Sequence, residues 1–191
     1  MESFNHSQQA GHTSMYPNNP VNPGKVLSDY AGKTLMLRQP SVFKSRYELF
    51  LENEVIGTIE KPKFFSSSAV AEIFGTKWEI KRESFWRGGL GVYQYGYEMP
   101  MAVYEQKIFG KGFLKLEKGI VLYFNYKIWK GITEIKTESG KILISSIRKP
   151  GWKEKTLISI PGKSELLDSK PWIILLISYI EIMRQTSRNA G

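Results

Sequence analysis

Histidine, aspartate and cysteine are the side chains that most often carry chemistry, and this chain has few of them. His6 and His12 are its only histidines, Asp29 and Asp168 its only aspartates, and cysteine is absent. Disulfides, thiolate metal sites and thiol nucleophiles are therefore excluded. A Ser-His-Asp triad or a His-rich metal centre has no histidine to draw on beyond position 12. Gly-Lys-Thr at 32–34 and Gly-Lys-Ser at 162–164 suggest phosphate loops, but the pattern needs a glycine five positions earlier, where Leu27 and Leu157 stand. Ser41 and Lys44 have a Ser-x-x-Lys spacing without the partner motifs that give it meaning. The glycine-rich 87–91 stretch lies between strands with no helix after it, so it reads as a loop or bulge. Glutamates are numerous enough for a carboxylate pair, which leaves acid–base chemistry open. The main expectation is a non-enzymatic protein with no cofactor, no metal and no evident small-molecule substrate.

Charge offers a clearer lead. The formal net charge is +9. Residues 1–29 hold Lys25 against Glu2 and Asp29, so residues 30–191 carry 26 basic and 16 acidic side chains. Basic and aromatic residues recur together at 61–65, 81–87, 126–130 and 148–153. From these clusters the candidate lipid- or phosphate-binding residues are Lys81, Arg82, Arg87, Lys127, Lys130, Arg148, Lys149 and Lys153. Trp86, Trp129 and Trp152 are the candidate interfacial aromatics. Such groups suit an anionic membrane surface, with lysine and arginine near the phosphates and tryptophan at headgroup level. They also suit single-stranded nucleic acid, through stacking and phosphate contact, which is the less favoured partner. The plain alternative is a solvated surface whose aromatics face the core, leaving a protein-interaction scaffold. Nothing in the residues fixes an oligomeric state.

The elements that must position these clusters follow from patterning. Residues 1–29 are rich in Ser, Asn, Gln, Gly and Pro and are expected to be a disordered leader. The first residues show neither a basic start nor an apolar run, so no secretory signal is expected. The expected location is cytoplasmic, with peripheral membrane attachment as its extension. Short β-branched and aromatic runs follow at 33–38, 46–51, 55–60, 70–74, 77–83, 91–95, 101–108, 113–117, 120–126, 132–137, 142–147 and 156–160. Short linkers between them predict antiparallel hairpins. Trp78 and Ile80 alternate with Lys77, Glu79 and Lys81, which predicts one wet and one dry face. Residues 120–124 are apolar throughout, which predicts a strand covered on both faces.

Residues 171–183 contain six consecutive apolar positions, 172–177. A helix there has no polar face and must be surrounded by protein or lipid; a buried strand is the rival reading. Asp168 or Ser169 can cap the helix. About 14 helical residues span roughly 20 Å, short of the ~30 Å bilayer core, so burial in protein is expected. The predicted fold is all-β with one C-terminal helix: a closed antiparallel barrel of about twelve strands around a buried apolar helix near 170–185. The barrel domain is expected over 30–186, followed by a short tail at 187–191. A lipocalin-like or PH-like barrel is the alternative fold.

This order of elements, ending in Ser169-Lys170-Pro171-Trp172-Ile173-Ile174-Leu175-Leu176-Ile177, resembles the tubby C-terminal-like superfamily. That superfamily includes tubby domains, phospholipid scramblases and the plant LURP-one-related proteins. The resemblance covers about residues 30–186. It implies a twelve-stranded barrel around an apolar helix, and a non-enzymatic domain associated with anionic lipid in tubby proteins and with lipid movement in scramblases. The chain lacks the cysteine cluster that carries scramblase acyl chains. Its 161–168 segment has only Glu165 and Asp168, too few carboxylates for a calcium loop. No tubby lipid-binding residue aligns to a defined position, so none is carried over.

Overall fold

The computed structural model describes residues 24–41, 45–62, 68–82, 89–149 and 155–189. The leader before residue 24 and the final two residues lie outside this set, as do Trp86, Arg87, Trp152 and Lys153.

Alternation of apolar and polar side chains produces twelve strands. They are β1 (Thr34–Arg38), β2 (Arg46–Leu51), β3 (Glu54–Glu60), β4 (Ser68–Ile73), β5 (Thr76–Arg82) and β6 (Leu90–Gln94). The second half comprises β7 (Ala102–Gln106), β8 (Lys111–Lys115), β9 (Val121–Lys127), β10 (Ile132–Lys136), β11 (Ile142–Lys149) and β12 (Lys155–Ser159). Each pairs antiparallel with its sequence neighbours, and β1 pairs with β12, Thr34 opposite Ser159, closing the barrel. A short helix α1 (Glu165–Ser169) and a long one, α2 (Trp172–Asn189), complete the chain.

Helix α2 fills the lumen. From Trp172 to Ile182 every side chain is buried, including nine apolar ones. Each contributes about 1.5–3 kcal/mol before conformational entropy is counted. The helix runs closest to β3 and β4, where small residues make room. A Cβ on Gly57 would stand 3.3 Å from Leu175 Cδ2 and 3.0 Å from the Glu72 carbonyl; Ala69 and Ala71 line the same wall.

One carboxylate enters this apolar space. Glu181 accepts hydrogen bonds from the Thr133 hydroxyl, from the Ser146 hydroxyl at 3.2 Å and from Arg184 at 2.9 Å. A buried carboxylate held this way fixes the helix against β10 and β11, and losing Arg184 would leave it without an opposite charge. Among the described residues no helix is long and apolar enough to cross a membrane.

Four expectations need correction. Strand β9 is covered on one face only: Leu122 and Phe124 point inward while Tyr123 is exposed. An apolar run arises there because an aromatic occupies an outward position. Residues 24–29, read as leader, run into a 3-10 turn (Leu27–Tyr30) whose Leu27 is a core residue alongside Tyr30. Asp168 caps no helix; it accepts hydrogen bonds from the Ser28 amide at 2.7 Å and from the Ser28 hydroxyl. Ser164 caps α1, accepting from the Leu167 amide at 3.4 Å. Helix α2 also extends beyond the expected 185.

Consecutive antiparallel strands send the chain connections alternately to two ends. The connections after β2, β4, β6, β8, β10 and β12 lie where α2 enters the lumen. Those after β1, β3, β5, β7, β9 and β11 lie where α2 leaves it.

Candidate functional site

The helix-exit end collects the basic and aromatic residues. After β9, residues 128–130 form a 3-10 turn that Gly131 ends in the left-handed region, φ 60° and ψ 30°, as a glycine readily does. The Gly131 carbonyl accepts from the Arg148 amide at 3.1 Å, joining this turn to the end of β11. Among the described residues nothing covers the turn: Ile128 is 51% and Trp129 100% exposed.

A second tip stands beside it. Between β7 and β8 the Lys107 amide donates to the Lys111 carbonyl at 2.7 Å, pinching out Ile108, Phe109 and Gly110. Ile108 is 76% and Phe109 80% exposed. Phe109 has φ 57° and Gly110 φ 74°. A bulky L-residue in the left-handed region costs roughly 1–2 kcal/mol, and here the ring gains no burial in return. Gly110 lies against the next strand: a Cβ there would stand 3.0 Å from the Tyr126 carbonyl. The two tips are thereby fixed side by side.

Cations surround them. Lys107, Lys111, Lys127, Lys130 and Lys149 are exposed and Arg148 half-buried. Lys127 reaches Glu134 at 2.6 Å and Lys107 reaches Glu105 at 3.4 Å. Lys111, Lys130, Arg148 and Lys149 have no carboxylate partner among the described residues. Lys136 also lies 2.9 Å from Glu134. Hydrogen bonds from Lys127 and then Lys136 hold the Glu134 carboxyl below its ordinary range. Beneath the tips, the Arg184 guanidinium lies 4.1 Å over the Tyr126 ring and Arg188 donates to the Tyr126 hydroxyl at 2.6 Å. The end of α2 thus supports the base of the β9–β10 hairpin.

Of the residues singled out in the sequence, Lys127, Trp129, Lys130, Arg148 and Lys149 come together on three adjoining strands, β9 to β11. Lys81 and Arg82 sit at the same end but four strands away, ~19 Å along the wall at the usual strand spacing. Lys81 is also engaged, 2.5 Å from Glu79 and 4.9 Å over the Tyr93 ring. Arg87, Lys153, Trp86 and Trp152 belong to the residues not described. Sequence reading missed Lys107, Ile108, Phe109 and Lys111. The signal was present in Phe109-Gly110, an aromatic followed by glycine between two alternating runs, which marks a hairpin turn. A strand drawn through to residue 108 hid it.

Among the described residues no group of three or more histidine, cysteine or acidic side chains could hold a metal ion. No protein-family model matches the chain, and no curated protein matches it. Among solved structures, the X-ray structure of a protein from Arabidopsis thaliana superposes with a TM-score of 0.56 at 11% identity, over 84% of this chain and 99% of that one. At that identity the likeness speaks for the shared fold of the barrel domain.

Proposed function

We propose that this domain is a non-enzymatic module that docks the helix-exit end of its barrel on anionic phospholipid, in keeping with its resemblance to tubby and scramblase domains. The observation that carries this reading is the grouping of Lys111, Lys130, Arg148 and Lys149, which have no carboxylate partner among the described residues, around the exposed Trp129. Each cation near an anionic leaflet contributes about 1 kcal/mol. Four give roughly 4 kcal/mol, near a thousandfold in affinity. Nucleic acid could use the same charge, but single strands favour grooves with laid-in aromatics, whereas Trp129 stands on a projecting turn. Helix α2 occupies the lumen, the space in which a lipocalin-like barrel holds its ligand.

Co-sedimentation of the full chain with neutral and with phosphatidylserine-containing vesicles tests this, at low and physiological salt and with a single-stranded oligonucleotide as competitor. Binding to the anionic vesicles alone is expected, weakened by salt and largely lost in Lys130→Glu/Lys149→Glu. Equal binding to neutral vesicles, no pelleting at low salt, or displacement by the oligonucleotide at stoichiometric concentration would each overturn the lipid reading.

A further inference from the structure

The two tips repeat one residue order. Lys107-Ile108-Phe109 crowns the β7–β8 hairpin and Lys127-Ile128-Trp129 the β9–β10 hairpin, each with a second lysine and a glycine within the next two positions. Both order their residues as a cation, a branched aliphatic and an aromatic. Both leave the apolar pair in solvent, and the packing of Gly110 on Tyr126 fixes them next to each other. Adjoining exposed apolar residues of this size mark a contact surface rather than ordinary scatter.

We propose that Ile108-Phe109 and Ile128-Trp129 form a two-pronged wedge that enters the headgroup layer of an anionic bilayer. This rests on the lipid reading above and adds insertion to surface attraction. Lys107, Lys111, Lys127 and Lys130 bracket the prongs in sequence and space, where they meet the phosphate plane as the apolar pairs pass below it. An aromatic and an aliphatic side chain per prong suit the outer roughly 5–10 Å of the interface, where apolar faces of peripheral proteins settle. The lysine ring also selects this occupant over a second copy of the chain, since a two-fold contact would bring lysines against lysines. The left-handed Phe109 fits the same assignment. Asparagine occupies that backbone more readily, yet the position carries a large exposed aromatic.

The test uses the full chain and vesicles of phosphatidylcholine with one-fifth phosphatidylserine. Trp129 emission is isolated by subtracting a Trp129→Phe variant, and is expected to shift to the blue on binding and to be quenched by lipid brominated high in the acyl chain. Ile108→Ser/Phe109→Asn keeps a turn-compatible residue at the left-handed position. It is expected to unfold at or above the wild-type temperature, to bind at low salt, and to lose about tenfold or more of its vesicle affinity in high salt, where insertion must hold the complex. Charge-dependent pelleting with unshifted Trp129 emission and a wild-type-like double variant would overturn the wedge and leave the lipid reading standing. Absence of pelleting would overturn both. A concentration-dependent dimer that the double variant abolishes, without any emission change on vesicles, would replace the bilayer with a second copy.

Discussion

Phe74 and Phe109 are each followed by glycine, and each adopts a left-handed backbone, with φ 52° and 57°, before a glycine at φ 77° and 74°. They sit at opposite ends of the barrel. Phe74, at the helix-entry end, is 8% exposed and stacks on Tyr30 with ring centroids 5.9 Å apart. There the backbone cost is offset by burial. Phe109 has the same cost and no such offset. The entry end is closed by the 3-10 turn at residues 27–30, held through Ser28 to Asp168 and to the Ser164 amide at 3.2 Å, and through Gly32 to the Ile160 carbonyl at 2.8 Å. At the exit end, the corresponding apolar residues face solvent. Among the described residues, the chain itself covers Phe74 at one end, while at the other Phe109 stands in solvent beside Ile108, Ile128 and Trp129.

The comparison can be broken in three ways. The largest effect should come from removing what both ends share: a chain stopped at Lys163 keeps all twelve strands and loses α2. It is expected to lack a cooperative thermal transition and near-ultraviolet circular dichroism; a soluble truncation with both would show that the helix is dispensable. Next, Phe74→Asn should lower stability by about 3 kcal/mol, roughly 10 °C in Tm for a domain of this size. Phe109→Asn should leave Tm unchanged or, with about 1 kcal/mol of strain released, raise it by roughly 3 °C. Equal losses at the two sites would remove the distinction between the ends.

The smallest effect concerns Glu134, whose carboxyl is held low by Lys127 and Lys136. Its contribution to stability is present above the unfolded glutamate value and disappears as pH falls through the lower folded value. Wild type and Glu134→Gln should therefore differ slightly at neutral pH and converge in acid. The same variant frees Lys127, so its affinity for anionic vesicles at low salt should rise about fivefold, following the ~1 kcal/mol contributed by each cation. A fall in affinity would place Glu134 among the groups that bind.

Period-2 alternation and short linkers made the barrel legible, and the six-residue apolar run at 172–177 made its plug legible. Residues 24–29 were not, because Leu27 lies in a polar stretch without periodicity; only the completed barrel shows the opening that it closes with Tyr30. Each basic and aromatic cluster could be read individually. That Lys81, Arg82, Lys127, Lys130, Arg148 and Lys149 lie at one end could not, although it follows from parity: they come at or just after the ends of β5, β9 and β11, all odd-numbered strands. Turning parity into place requires the neighbour-to-neighbour pairing that the barrel supplies. Which cations are already paired, as Lys81 is with Glu79, depends on side-chain geometry across the wall.

The plug also sets the order of events at the ribosome. Strand pairs can form as hairpins while the chain emerges, because each pairs with its neighbour in sequence. Their inward side chains have nothing to pack on until residues 172–182 arrive, and the seam joining Thr34 to Ser159 links nearly the first and last strand residues made. Until α2 has been made, the strands therefore carry their apolar lining unsatisfied, the condition in which chaperones are most needed. Helix α2 then completes the core of the barrel in a single step.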